Sequence, residues 1–222
     1  MELSDLGVGQ AIAAGKWIRD NIHGGIFKQY YVSPFRRATH TAGHLHLPEA
    51  ETKPVWKIRS YIREQNYGYF DSLTREEQQE KFPDIMALKE RDGVYWQRLG
   101  GESMAELVDR TKSGIIQTLY REVPGGNAVV VAHGNLLWAV RMIMESLTYD
   151  EYNKLDSSNS PLEKINNCQV LQYTRVNPAD SSDVSENFRW MRSVCPWNLN
   201  LSTHEWRTID RKKYSNQDLL TR

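Results

Sequence analysis

An unbroken apolar run, Ala128-Val129-Val130-Val131-Ala132, leads straight into His133-Gly134-Asn135. A β-branched run without polar alternation suits a strand covered on both faces, as parallel strands packed between helices are. Pro124-Gly125-Gly126 ends the segment before it, and a helical pattern begins near Leu136. A strand passing at once into a helix is the unit of α/β folds, whose ligands collect at the carboxyl ends of the strands. His133 stands at that end.

The same alternation runs through the rest of the chain. Ser4 predicts the N-cap of a helix reaching Asn21, with Leu6, Ile12, Ala13, Trp17 and Ile18 on its inner face. Phe27 to Val32 reads as a short buried strand. Ser33-Pro34 then turns the chain, because Pro34 has no amide to donate and drives Ser33 to extended geometry. A helix follows from Arg37 to about Leu47. Val55 to Arg63 reads as extended, and Leu73 to Leu88 as a charged helical lobe broken at Pro83. Ser103 and Glu106 form a capping box for a helix striped with Met104, Leu107, Val108, Thr111, Ile115 and Leu119. Cys168 to Arg175 reads as a further strand. The expected fold is a three-layer α/β/α sandwich around a mostly parallel central sheet. Residues 1–176 make the α/β domain, and 177–222 a C-terminal extension partly ordered by Trp190, Trp197 and Trp206.

Charge and motifs exclude several classes of function. Lys+Arg and Asp+Glu both number 28, so no global field exists to hold nucleic acid or an anionic membrane. Neither a nucleoside-triphosphate loop nor a Gly-x-Ser-x-Gly elbow occurs. His40, His44 and His46 cluster without a Cys or Asp to complete a site, so no metal is expected, and no other cofactor. Cys168 and Cys195 read as reduced thiols, with a disulfide as the alternative. With no signal-peptide layout at the start and no unbroken apolar span, the expected compartment is the cytoplasm.

Local clustering supplies what the net charge does not. Arg37 opens a helix after a strand and a Pro turn, where free amides and a guanidinium fork both suit a phosphate. Taken together, Ser33-Pro34-Phe35-Arg36-Arg37-Ala38-Thr39 and Val129-Val130-Val131-Ala132-His133-Gly134-Asn135 resemble the histidine phosphatase superfamily, which includes cofactor-dependent phosphoglycerate mutases. The resemblance covers roughly Glu2 to Arg175. It implies that Arg37, His133 and Asn135 hold a substrate phosphate, and that His133 stabilises the transferring phosphoryl group. It also implies that Glu64, in Arg63-Glu64-Gln65-Asn66-Tyr67-Gly68, is the acid facing the leaving oxygen, with burial raising its pKa. Glu102 matches a further family position and is expected to support a helix start. The implied activity is phosphomonoester hydrolysis through a phosphohistidine. Tyr67-Gly68-Tyr69-Phe70 departs from the mutase-like Tyr-Gly-Gly-Leu or Tyr-Gly-Ala-Leu, which favours a phosphatase over a mutase. The partner expected is a small phosphorylated substrate; a homodimer stays open.

The family's Arg-His-Gly triplet, whose histidine takes the phosphoryl group, does not occur in this sequence. Met1 to Asn21 reads as helix, leaving no segment for the strand that should carry the triplet beside Val129 to Ala132. The expectation is therefore that the first strand is missing, that the functional protein starts upstream of Met1, and that those residues bring strand and nucleophile. The alternative is a non-catalytic phosphate-binding or scaffold protein without the nucleophile.

Overall fold

The protein is described by a computed structural model over residues 2–48 and 54–221. Helix α1 (Asp5–Asn21) is capped by the Ser4 hydroxyl, which accepts from the Gly7 amide, and leads into strand β1 (Gln29–Val32) and helix α2 (Arg36–His44). Strand β2 (Trp56–Ile58) precedes a lobe made of α3 (Arg75–Lys81) and α4 (Pro83–Asp92). Pro83 takes the first helical position of α4, where its missing amide costs nothing, so it starts a helix as well as breaking one. Helix α5 (Met104–Thr111) carries the Ser103/Glu106 capping box. It passes through one π-helical turn, Lys112–Ile116, into α6 (Gln117–Glu122). Strand β3 (Ala128–Val131) feeds α7 (Gly134–Met144), followed by α8 (Tyr149–Asp156) and β4 (Val170–Thr174). The exposed hairpin β5 (Val176–Asn177) and β6 (Asp180–Val184) then leads to β7 (Trp190–Val194), β8 (Arg207–Thr208) and α9 (Asn216–Leu220).

β2, β1 and β3 form a parallel sheet in that order, with Tyr30 opposite Trp56 and the Gln29–Val32 strand in register with Ala128–Val131. Alternation along these strands divides their side chains between two cores. Tyr31, Ala128 and Val130 pack with Leu107, Ile115, Leu136 and Ala139 from α5, the π-turn and α7. Tyr30, Val129 and Val131 pack with Ala14, Ile18, Leu45 and Leu47 beside α1 and α2. Helices on both faces of a parallel sheet make the three-layer α/β/α fold read from the sequence.

Two expectations need correcting. The inner face of α1 is Ala11, Ala14, Gly15 and Ile18, while Leu6 and Ile12 are 71% and 43% exposed. Small residues win because α1 lies against the end of α2: a Cβ on Gly15 would stand 1.8 Å from the Leu45 carbonyl oxygen. Second, β3 is not central among the described residues. It pairs with β1 on one edge only, and every one of its residues is half-buried. A second, antiparallel sheet, β4-β7-β8, has β4 as its edge. Yet β4 sends Val170 into the α1/α2 core and Tyr173 into the α5/α7 core. The open edges of β3 and β4 thus border the same two cores without hydrogen bonding to each other.

Residues 177–222, read as an extension partly ordered by its tryptophans, pack along the body. β7 pairs with β4 over its whole length and buries Trp190, Met191 and Val194. Arg207 reaches Glu145 at the end of α7, at 2.6 Å, and Arg211 donates to the Met144 carbonyl. Cys168 and Cys195 are both unbridged. Among the described residues no helix is long and apolar enough to cross a membrane.

Candidate active site

β1 and β3 end side by side, so Ser33 and His133 meet across the sheet although a hundred residues separate them in sequence. The His133 backbone is extended, since it is the residue before the first turn of α7, and this swings its ring over the sheet edge. Arg37, in the first turn of α2, donates from Nε to His133 Nδ1 at 3.2 Å. Nδ1 is therefore unprotonated, and Nε2 carries the ring proton to the Ser33 hydroxyl at 2.6 Å. The Phe35 ring lies edge-on to His133, with the Arg37 guanidinium 4.9 Å from its centroid. No carboxylate pairs with Arg37 among the described residues. Arg36, one residue earlier, faces the other way, toward Glu2 and His40 on the surface.

Burial, followed by the charges of Arg37 and Arg110, pushes the His133 pKa down to about 4. The imidazole is neutral near pH 7, and the positive charge in hydrogen-bond contact with it is the Arg37 guanidinium. The sign of the linkage follows. Between the ordinary value of 6.5 and about 4 the unfolded chain binds the proton and the native state does not. His133 therefore costs nothing above about pH 6.5, and stability falls by about 3 kcal/mol as pH drops through 4. Glu64 works in the opposite sense, its raised pKa costing stability as pH rises through its folded value. Comparing wild type with His133→Asn isolates the histidine: urea denaturation from pH 7 to 4 should show a shallower acid loss in the variant. Parallel curves would contradict the assignment.

Glu64 is brought to the same mouth. Its carboxyl faces the backbone amides of Gln65, Asn135 and Leu136, at the start of α7. Burial raises its pKa, and those amides together with the Arg37 charge only partly reverse the rise. The loop is held from behind by Glu102. That carboxylate accepts from Arg63 at 3.0 Å, from Arg110 at 2.7 and 2.8 Å, and from the Asn66 amide. Burial pushes the Glu102 carboxyl up, but the hydrogen bonds from Arg110 and Asn66 and the charges of Arg110 and Arg63 prevail and hold it below the usual range. Arg110 also donates to the carbonyls of Tyr61, Arg63 and Glu64. The helix-start role expected for Glu102 belongs to Ser103, and Glu102 is the strut of the Glu64 loop.

Asn135 differs from the phosphate ligand read from the sequence. Its amide nitrogen donates to Gln65 Oε1 and to Tyr67 Oη, both at 2.7 Å, so both amide hydrogens are committed to the loop. The side chain tethers Glu64's loop to α7. Gln65 and Tyr67 had no signal in the sequence beyond their place in the loop, since their partner lies about seventy residues away.

Residues 1–168 match the family profile described as histidine phosphatase superfamily (branch 1). The chain belongs to the histidine phosphatase superfamily. Among curated members, it is 32% identical over 149 residues to the 2,3-bisphosphoglycerate-dependent phosphoglycerate mutase of Methylorubrum extorquens, covering 66% of this chain and 69% of that one. The enzyme of the same name from Nitrobacter winogradskyi is 31% identical over 153 residues, covering 68% and 72%. Among solved structures, the complex of mycobacterial glucosyl-3-phosphoglycerate phosphatase with inorganic phosphate superimposes with a TM-score of 0.56 at 26% identity, over 68% of this chain and 72% of that one. The native form of that phosphatase covers 86% of this chain with a TM-score of 0.64, at 23% identity, and speaks to the fold alone. Both phosphatases and mutases are thus found among this superfamily's members similar to the chain.

Proposed function

We propose that this chain provides the phosphate grip and proton donor of a cytoplasmic phosphomonoester hydrolase of the histidine phosphatase type. The observation that carries this reading is the Arg37–His133–Ser33 line, a cation without a carboxylate beside a neutral imidazole at the start of two helices. An incoming phosphate dianion takes the Arg37 fork from His133 Nδ1. The Ser33 hydroxyl can donate as well as accept, so it can turn its proton toward Nε2 and let Nδ1–H face the phosphoryl oxygen. Glu64, whose pKa burial raises, is the carboxyl placed to protonate the departing oxygen.

The phosphoryl acceptor that the resemblance implies is a histidine at the end of a strand between β3 and β4, where two edges face the same cores unpaired. In this reading that strand would have to come from outside the described residues. A non-catalytic phosphate binder remains the second reading, favoured by the absence of a second histidine beside His133 among the described residues. A mutase is the third. Homodimer formation is a separate proposal, checked by the sedimentation mass in solution.

Isothermal titration of the chain with inorganic phosphate or vanadate tests the grip. Saturable binding is expected, and Arg37→Ala should weaken it by about 1.5–3 kcal/mol, the worth of hydrogen bonds to a charged group. Equal affinity in wild type and variant sinks the reading.

A further inference from the structure

Phe35 stands where the start of a helix calls for a different residue. Helices α1, α3, α5, α8 and α9 begin behind Ser4, Thr74, Ser103, Thr148 and Ser215, and each of those hydroxyls accepts from an amide of the first turn. α2 begins behind Phe35, whose side chain has no atom to accept with, and no side chain caps this helix. The ring does not make up for the lost cap by packing. It is 38% exposed and belongs to none of the apolar clusters among the described residues. A local preference broken without a local gain is the mark of a functional position.

What the ring does touch is the candidate active site. Its centroid lies 5.2 Å from that of the His133 ring, at an interplanar angle of 65°, and 4.9 Å from the Arg37 guanidinium carbon. The hydrogen bond from Arg37 to His133, at 3.2 Å, is the third side of this triangle. Phe35 is fixed in turn from the strand end, where its amide donates to the Ser33 hydroxyl at 3.3 Å, the same hydroxyl that meets His133. Arg37 needs such a neighbour. It is an exposed residue, and its bond to His133 engages Nε alone. A long cationic side chain of that kind samples many rotamers, and ordering it on a ligand takes part of the binding free energy. An aromatic face attracts the cation without neutralising it, so it can hold the guanidinium in place while both terminal nitrogens keep their donors for a ligand.

We propose that Phe35 is a positioning residue, whose ring orders the Arg37 guanidinium beside His133 before a phosphate arrives. The inference rests on the phosphate-grip reading and adds to it what holds an arginine ready at this mouth without a carboxylate. Phe35 itself has no donor for the phosphate and acts only through Arg37.

The test is calorimetric titration with inorganic phosphate of the wild-type chain, Phe35→Leu, Phe35→Tyr, Arg37→Ala and the Phe35→Leu/Arg37→Ala double variant. Phe35→Leu keeps the apolar bulk and removes the ring face, so affinity should fall about 3- to 10-fold, the cost of immobilising one long side chain on binding. Phe35→Tyr keeps the face and should stay within about twofold of wild type. Once Arg37 is already alanine, the leucine should cost less than about twofold, because the ring has lost the group it acts through. A position outside the cores should leave Phe35→Leu melting within about 2 °C of wild type. In the ligand-free chain the Arg37 Nε–H should give a separate proton–nitrogen NMR signal, kept in Phe35→Tyr and merged with those of the exposed arginines in Phe35→Leu. Equal affinities of wild type and Phe35→Leu, or an undiminished leucine effect beside Arg37→Ala, overturns the positioning role and leaves the phosphate grip standing. A loss of affinity that comes with a collapse in melting temperature does the same, since it reads as packing. Failure of inorganic phosphate to bind the wild-type chain removes the grip and the positioning role together.

Discussion

Given an added strand that ends in Arg-His-Gly and pairs with β3, the protein is expected to hydrolyse an aryl phosphate about a million-fold faster than residues 1–222 alone, the size of loss seen when a nucleophile is deleted from a cooperating set. The extension should place a strand along the open edges of β3 and β4, pairing amides and carbonyls that now have no partner in either sheet. Each buried group so satisfied is worth about 1–3 kcal/mol, so the melting temperature should rise together with the activity. Acid-quenched samples should contain a phosphoryl group on a histidine of the added strand, and His→Asn there should remove both label and turnover. An extended protein that binds phosphate without turnover leaves the non-catalytic reading in possession.

The second large effect concerns the C-terminal segment. Glu145→Ala is expected to destabilise the fold by about 3–5 kcal/mol, because it leaves a buried cation without its counterion. Arg141 donates to Glu145 at 2.9 Å with both side chains almost fully buried, and Arg207 and Tyr173 converge on the same carboxylate at 2.6 and 2.9 Å. A loss of that size is a large fraction of a domain's usual margin of about 5–15 kcal/mol. Denaturant titration gives the loss, and limited proteolysis gives its location: cleavage after Arg207 or Arg211 should appear first, as β8 lifts from β7. Replacing both Arg141 and Glu145 by apolar residues of similar volume should recover much of the stability, since the penalty lies in the orphaned charge. A Glu145→Ala protein within 1 kcal/mol of wild type by the same titration would contradict this account of how the segment is held.

Much of the candidate site could be read from the chain because its determinants are local. The apolar Ala128–Ala132 run identifies a strand, the glycine after His133 opens a helix, and Ser33-Pro34 turns the chain so that Arg37 begins one. Backbone preferences over a few residues decide these points, and two adjacent parallel strands ending together then bring Arg37 and His133 to one place. Glu64's raised pKa was likewise legible from its motif, since a carboxyl facing a phosphate-binding strand end has to be buried.

What composition and periodicity could not give was set by contacts far apart in sequence. Leu6 and Ile12 satisfy a helical pattern on α1, but the close approach of Leu45 selects the small-residue face instead. Asn135 belongs to a phosphate motif, yet Gln65 and Tyr67 take both its amide hydrogens. The tail reads as an extension partly ordered by its tryptophans, but only the folded chain shows what holds it, the pairing of β7 with β4 and the reach of Arg207 to Glu145. Arg98 carries no signal of its own in the sequence, and only the folded chain lays its guanidinium over the Tyr67 and Trp96 rings. Sequence by itself determined the elements and the strand ends where Arg37 and His133 meet, because short-range sterics and hydrophobic period act within a few residues. Tertiary structure alone decided which faces are buried, where hydrogens are donated and which charges go unpaired, because those depend on neighbours that only the folded chain brings together.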